Sequence, residues 1–285
     1  MQTQKTAILI FAHTNPDQLR KLCQHLSKDF DVYMHLDLSC RLDPEHFKVS
    51  PKIKVIKEIK TRWGSQGMVH AALRLMLIAE EEQRSYDRYV LISGQDVPLV
   101  SNAIIQKCFD ENTEVDFIEC HALSNEPNKI YRATEYHYLA TRKSDGLNWV
   151  FRTIVAIFLH TIQKIMKPRK SAFEFYTGSN WMDLTGETAR KILGLVESTP
   201  EFLNRFSHTL FPEEMFFQTA THFLSIGSCS RDKLLRYIDW ESGPEFPKTL
   251  RGEDLTKLQT APGLFARKLD ERVDKNLIDD LYARL

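Results

Sequence analysis

The 285-residue sequence lacks the glycine-rich motifs that usually hold nucleotide phosphates. Neither G-x-G-x-x-G nor G-x-x-x-x-G-K-[ST] occurs in it. No Asp-x-Asp follows the end of a predicted strand in the first half, where the nearest arrangement, Asp37-Leu38-Ser39, has a single carboxylate. Because Mg²⁺ is held by several hard oxygen ligands, we expect a protein that requires neither a metal nor another cofactor.

The sequence also has few cysteines, no net charge and no long apolar run. The five cysteines are scattered without a C-x-x-C pair, which argues against a zinc site or a disulfide framework and favours reduced thiols in a cytoplasmic protein. Lys plus Arg and Asp plus Glu both total 38, so the basic excess typical of nucleic-acid binding is absent and we expect no nucleic-acid partner. The apolar run near the N-terminus spans about six residues, too short for a signal peptide.

What the sequence does contain is alternation of buried strands and amphipathic helices. The predicted strands are Thr6–Ala12, Asp31–Leu36, Lys54–Ile59 and Tyr89–Ser93. Helices are predicted after Asn15-Pro16, which supply a cap and a first position, and over Met68–Glu82. The order β-α-β-β-α-β over the first 100 residues predicts an α/β fold of the nucleotide-binding kind.

Four polar or aromatic residues fall just past predicted strand ends or in the loops that follow, namely His13, Asp37, Trp63 and Asp96. In such sheets ligands bind beyond the carboxyl ends of the strands, so these residues are candidates for a site. Each has a structural alternative. His13 and Asp37 could serve turns, Trp63 could pack, and Asp96 could form an Asx turn.

The segment Phe211–Thr219, FPEEMFFQT, places two acids after a proline. Pro212 favours the start of a helix, predicted over Glu213–His222, and acids suit the positive end of a helix dipole. The alternative is that one acid is a catalytic base, because the neighbouring aromatic residues would desolvate it and raise its pKa. The segment alone leaves both interpretations open.

Two basic features also have alternatives. The predicted helix Trp149–Met166 is apolar on one side and basic at its end, so it could pack on the domain or touch a membrane surface peripherally. Arg267 and Lys268 are adjacent cations that could neutralise a diphosphate as a metal would, or be an ordinary surface pair.

Eight segments in one order carry a family resemblance. They are ILIFAHTNPDQL, HLD at 35–37, RWGSQGMV, YVLISGQDVPL, GSNWMDLT, PEEMFF, YIDW with PKTL, and LFARKLD, and they span residues 7 to about 270. The sequence resembles the core-2/I-branching glycosyltransferases, a family that also holds the peptide O-xylosyltransferases. It looks like a compact bacterial-type member, without the anchor, stem and disulfides of animal members.

The resemblance implies a GT-A-like fold, a Rossmann-like α/β/α sandwich with a mixed central sheet, and inverting, metal-independent transfer from a UDP-sugar. It implies that Glu214 is the base, supported by Glu213, and that Lys268 binds the diphosphate with Arg267. The nucleotide pocket would be formed by His13, Asp37, Trp63, Gly64 and Ser65. Asp96, Ser179 and Trp181 would lie near the donor sugar and acceptor, and Lys248 or Arg251 would replace an arginine that has no secure match.

The implied partners are a UDP-sugar, with N-acetylglucosamine or xylose as the sugar, and a glycan or lipid-linked oligosaccharide acceptor. We expect a single domain over residues 1–285, with a UDP-binding half at 1–120 and an acceptor-binding, catalytic half at 121–285. The expected location is cytoplasmic, at the inner face of a membrane if the basic helix makes contact. Two alternatives stay open: a non-catalytic sugar-nucleotide or glycan-binding module, and a metal-dependent GT-A transferase of another family.

Overall fold

The computed structural model describes residues 3–61, 64–82, 85–125, 171–226, 229–230, 235–244 and 247–285, together with residues 134, 158, 161 and 169. The predicted helix Trp149–Met166 therefore lies outside the described residues, apart from Phe158 and Thr161. Trp63 also lies outside them.

The centre of the molecule is a seven-stranded mixed sheet. Its strands in spatial order are β10 (Cys229–Ser230), β6 (Asp116–Ile118), β9 (Met182–Thr185), β4 (Arg88–Ser93), β1 (Thr6–Ala12), β2 (Asp31–Leu36) and β3 (Ile53–Ile56). Strand β9 runs antiparallel to β4 and β6, and the other neighbours pair in parallel. The carboxyl ends of β1, β2 and β4 therefore meet at one edge of the sheet.

Strand β1 shows why the chain forms layers. All seven of its residues are buried, and alternate side chains enter different cores. Ala7, Leu9 and Phe11 pack with helices α2 (Gly67–Glu81), α4 (Gly186–Ser198), α5 (Pro200–Asn204) and α6 (Phe216–Phe223). Ile8 and Ile10 pack on the opposite face with α1 (Pro16–Leu26) and α3 (Asn102–Glu111). The predicted α/β/α sandwich with a mixed central sheet is confirmed.

Three local predictions need correction. Helix α1 begins at Pro16 as predicted, but Asn15 has a left-handed backbone (φ 57°) and makes no side-chain cap. Strand β3 spans Ile53–Ile56 instead of Lys54–Ile59, and beyond it the Ile59 backbone N–H donates to the buried His35 side chain. The helix predicted over Glu213–His222 is a 3₁₀ turn, Pro212–Glu214, separated from α6 by the non-helical Met215.

The C-terminal part of the chain forms a second unit beside the carboxyl edge of the main sheet. A three-stranded sheet of β11 (Arg236–Ile238), β12 (Phe265–Arg267) and β5 (Val97–Pro98) packs with α7 (Leu255–Thr260) and α8 (Glu271–Tyr282). A short hairpin pairs β7 (His121–Ala122) with β8 (Tyr176–Thr177).

A buried ion pair ties the second sheet to the first. Both side chains of Arg236 and Asp183 are fully buried, and the Arg236 guanidinium donates to both carboxylate oxygens of Asp183 at 3.1 and 2.6 Å. Arg236 also donates to the Leu91 carbonyl at 2.7 Å. A bidentate guanidinium–carboxylate pair fixes direction as well as distance, so strand β11 is held in one orientation beside β4 and β9.

Of the helices that the described part of the chain forms, none has the length and apolar character of a membrane span.

Candidate active site

A cavity of about 620 Å³ lies beyond the carboxyl ends of β1 and β4. Its walls include Phe11–Thr14 after β1, Ser93–Gln95 after β4, the loop Gly178–Trp181 before β9, the pair Glu213 and Glu214, and Arg267 of β12. The volume suits a small-molecule ligand. Six of the residues predicted for the site line this one cavity: His13, Ser179, Trp181, Glu213, Glu214 and Arg267.

Asp37, just after β2, supports the cavity wall through Thr61. One carboxylate oxygen accepts from the Thr61 backbone N–H at 2.6 Å and from its hydroxyl at 2.8 Å, and the other accepts from the Ser39 backbone N–H at 2.7 Å. Burial alone would raise the pKa of Asp37, but these hydrogen bonds outweigh burial and lower the pKa to about 2. Thr61 lines the cavity, and Asp37 fixes the loop that carries it.

Gly64 of the predicted nucleotide-binding segment is clamped from two sides. Its backbone is left-handed (φ 71°), and a Cβ placed there would lie 3.1 Å from the Phe211 ring. Its N–H donates to Glu213 Oε1 at 2.9 Å. Ser65 follows and is half-buried. The loop after β3 and the segment before α6 therefore form one packed unit.

The Gly64→Ala variant is expected to unfold more easily, because an alanine in the left-handed region costs about 1–2 kcal/mol. It should also weaken ligand binding in the cavity, since Phe211 or the loop must move. Gly194, in helix α4, offers the matched control, because a Cβ added there would meet no atom within 4 Å. Gly194→Ala should stabilise by roughly 0.5–1 kcal/mol. Chemical denaturation measures the free energy of unfolding of both variants. Equal changes in the two variants would contradict the claim that Gly64 is held in a tightly packed, left-handed conformation.

Glu214 is held by its backbone at the end of the 3₁₀ turn. Its carbonyl accepts from the Gly178 N–H and from the Thr177 hydroxyl, both at 3.0 Å. The side chain of Glu214 is half-buried and lines the cavity. The preceding Phe211 has a left-handed backbone (φ 52°), which turns the chain into the 3₁₀ segment and presents both acids to the cavity.

Glu213 occupies a different environment from its neighbour. Its side chain is 3% exposed. Burial raises the pKa of Glu213 to about 7, the hydrogen bond from Gly64 opposes the rise, and the negative charge of Glu214 adds to it. The burial predicted from the sequence for one of the two acids is therefore found at Glu213.

The loop before β9 is positioned by buried polar groups. Ser179 donates its backbone N–H to Glu119 Oε2 at 3.0 Å, and its carbonyl accepts from Gln218 Nε2 at 2.6 Å. A Cβ on Gly178 would lie 2.0 Å from the Glu119 carbonyl oxygen, so only glycine fits this close approach. The loop carries Trp181, which is largely buried, to the cavity wall.

Arg267 is fixed by three neighbours. Its guanidinium carbon lies 4.3 Å from the centroid of the Trp181 ring, an arrangement that favours a cation–π interaction. The guanidinium also donates to the Ser93 hydroxyl and lies 3.5 Å from Asp96 Oδ2. Burial lowers the pKa of Arg267, and Asp96 opposes this. Asp96 is fully buried behind the cavity wall, where its carboxylate also accepts a hydrogen bond from the Ser93 backbone N–H.

Several cations surround His13. Its pKa is lowered, chiefly because protein atoms restrict its solvation; Asp37 opposes the shift, while Arg267, Arg272 and Lys268 reinforce it. His13 is therefore uncharged near neutral pH, and the field beside it is positive. Arg272 is paired with Asp270 at 2.6 Å. Lys268 is half-buried next to Arg267. A positive field in a partly enclosed cavity attracts a ligand with negative charge.

The structure does not bring Lys248 or Arg251 into the cavity wall. The Lys248 ammonium lies 2.8 Å from Asp254 and 3.4 Å from Glu253, within the C-terminal unit. Arg251 is exposed at the start of the 3₁₀ turn Gly252–Asp254. Both were predicted as substitutes for one diphosphate-binding arginine, and that role stays a prediction.

Among the cavity residues to which the sequence analysis gave no role are Thr61, Glu119, His121 and Trp240. Trp240 lies in the YIDW segment and is 58% exposed, which is unusual for tryptophan and marks a surface open to a ligand. The YIDW segment is one of those that carry the family resemblance, but the resemblance gave Trp240 no role in the site. Glu119 follows β6, so the rule about strand ends could have found it.

The first half of the chain does contain one Asp-x-Asp, Asp29-Phe30-Asp31, at the start of β2. It lies at the opposite end of the sheet from the cavity, where Asp29 accepts from Asn102 at 2.7 Å and Asp31 from the Tyr86 hydroxyl at 2.8 Å. Among the described residues no group of three or more His, Cys, Asp or Glu side chains is arranged to hold a metal ion.

Three solved structures that are similar to this chain have low sequence identity to it. A 4-diphosphocytidyl-2C-methyl-D-erythritol synthase is 10% identical, with a TM-score of 0.41 over 91% of this chain and 99% of that chain. The apo form of mouse xyloside xylosyltransferase 1 is 10% identical, with a TM-score of 0.32 over 79% and 84%. A mycobacterial protein is 12% identical, with a TM-score of 0.31 over 65% and 54%. No curated protein matches the sequence.

The sequence model of the core-2/I-branching enzyme family matches residues 9–261. The match includes the end of β1 and the loop after it, the Gly64 segment, Ser93–Asp96, Gly178–Trp181 and the two acids after Pro212, and it ends before Arg267. This chain belongs to the core-2/I-branching family of glycosyltransferases.

Proposed function

We propose that this protein is an inverting, metal-independent glycosyltransferase that moves a sugar from a UDP-sugar to a hydroxyl of a glycan or lipid-linked oligosaccharide. The donor sugar is N-acetylglucosamine or xylose, and the setting is the assembly of a bacterial surface polysaccharide at the cytoplasmic side of the membrane. The observation that carries the proposal is that Glu214 and Arg267 line the same cavity. The positive charges of Arg267, Lys268 and Arg272 act on His13 in the wall of that cavity and make the site favourable for a diphosphate.

The reaction is a single displacement. Glu214 takes the proton from the acceptor hydroxyl while the hydroxyl oxygen attacks the anomeric carbon from the face opposite UDP. The bond from that carbon to the diphosphate oxygen breaks, and UDP leaves with the electron pair. An α-linked donor therefore gives a β-linked product. Assistance by a general base is worth roughly 10²–10⁴-fold in rate.

Arg267 and Lys268 stabilise the negative charge that grows on the leaving diphosphate. Arg267 suits this task because Trp181, Ser93 and Asp96 hold its guanidinium in place before the ligand arrives. Charges fixed in advance avoid the reorganisation that water would require. In this scheme the two cations perform the work that a divalent ion performs in metal-dependent transferases.

A panel of UDP-sugars, tested with and without EDTA, examines the proposal. We expect one donor to raise the melting temperature and to be turned over equally well in both conditions. Activity that disappears with EDTA and returns with Mn²⁺ would favour the metal-dependent class instead. Stabilisation by a UDP-sugar with no hydrolysis and no transfer would favour the non-catalytic binding module.

A further inference from the structure

The two adjacent carboxyl groups of Glu213 and Glu214 line one cavity but differ in their surroundings. Glu213 is 3% exposed, whereas Glu214 is half-buried. The difference follows from the 3₁₀ turn, because successive side chains of such a turn point in directions about a third of a turn apart. One acid therefore faces the Gly64 loop while its neighbour faces elsewhere in the cavity.

The two oxygens of Glu213 also differ. Oε1 accepts from the Gly64 N–H at 2.9 Å. Oε2 is shielded from solvent and has no hydrogen-bond partner among the described residues. Buried polar atoms in folded proteins are nearly always paired, and an exception calls for a ligand, water or proton. Here the exception belongs to a side chain in the wall of the candidate active site.

The carboxyl group of Glu213 is the better place for a proton. Burial and the negative charge of Glu214, opposed by the hydrogen bond from Gly64, together raise its pKa to about 7. The other described titratable or charged groups of the cavity wall are Glu119, His121, His13 and Arg267. When two carboxyl groups are close and only one is buried, the buried one keeps its proton while the other ionises.

We propose that the two acids divide the work: Glu213, in its uncharged form, positions the ligand and the Gly64 loop, while Glu214 carries the negative charge. Oε1 of Glu213 holds the Gly64 N–H, and the protonated Oε2 donates a hydrogen bond to an oxygen of the bound sugar nucleotide. The roles of the ligand and of Glu214 rest on the proposed function. The charge state of Glu213 can be tested without it.

The first test is the pH dependence of stability, which needs no substrate. Between about pH 4.5, the ordinary pKa of glutamate, and about pH 7, the folded protein keeps a proton on Glu213 that the unfolded chain releases. The contribution of Glu213 to the free energy of unfolding should therefore fall as the pH rises through this window. The Glu213→Gln variant should lack this fall, whereas Glu214→Gln should keep it. Identical profiles for wild type and Glu213→Gln would overturn the proposal.

Carbon-13 NMR of the wild-type protein, labelled at the glutamate carboxyl groups, keeps this test valid if Glu213→Gln does not fold. One resonance should titrate near pH 7. If every glutamate titrates below pH 5, the proposal that Glu213 keeps a proton in the folded protein is wrong.

The second test compares turnover of three variants. Glutamine at position 213 resembles the uncharged acid, since its carbonyl can accept from Gly64 and its amide can donate to the ligand. Glu213→Gln should therefore lose less than about 10-fold, whereas Glu213→Ala and Glu214→Gln should each lose at least about 100-fold. Equal losses in Glu213→Gln and Glu214→Gln would overturn the division of work. A wild-type protein that turns over no UDP-sugar would refute the proposed function and leave the stability and NMR results to decide the charge of Glu213.

Discussion

The Glu214→Gln variant is expected to fold like the wild type and to lose at least about 100-fold in turnover, because glutamine cannot take the proton from the acceptor hydroxyl. The fold should survive since Glu214 is anchored through its backbone carbonyl by Gly178 and Thr177, and the substitution leaves that carbonyl in place. Binding of the UDP-sugar should change little. Steady-state kinetics and a thermal-shift titration with the donor measure the two effects separately.

The matched control is Glu114→Gln, which removes the same charge from an exposed turn outside the cavity wall. Its turnover should equal that of the wild type. If Glu214→Gln keeps near-normal turnover while its fold and donor binding are intact, Glu214 is not the base.

The Lys268→Met variant is expected to lose about 100- to 1,000-fold in turnover, the usual effect of removing one group that stabilises developing negative charge. The variant should also bind UDP more weakly, because a cation beside Arg267 is gone. Mn²⁺ should not restore the activity if the site relies on fixed cations alone. The measurements are kcat and the inhibition constant for UDP, each with and without the metal.

Lys107→Met provides the control for this variant, since Lys107 is exposed on helix α3 and lies 3.7 Å from Glu111. A Lys268→Met protein with unchanged kcat and unchanged UDP inhibition would remove Lys268 from the diphosphate site. Full recovery with Mn²⁺ would indicate that a metal ion can take its place.

The sequence predicts the framework of the fold well because its signals are local. The apolar runs Thr6–Ala12 and Asp31–Leu36 are strands with the bounds that were predicted. The rule that ligands bind past strand ends led to His13, which lines the cavity. Asp96 follows a strand too, but it lies under Arg267, since its carboxylate is drawn to the buried guanidinium.

Other features depend on contacts between distant segments, which no local pattern records. The burial of Glu213 results from the Gly64 loop, 149 residues earlier in the chain. The contact between Trp181 and Arg267 joins the loop before β9 to the C-terminal unit. For the same reason, nothing in the sequence around Lys248 indicates that Asp254 holds its ammonium group.

The central claim is a single displacement assisted by Glu214, and its stereochemistry is the most direct test. Proton NMR of UDP-sugar hydrolysis by the wild-type protein, recorded before the released sugar interconverts, identifies the anomer that forms first. From an α-linked donor, we predict the β anomer as the first product. The α anomer as the first product would show retention of configuration and would contradict the mechanism.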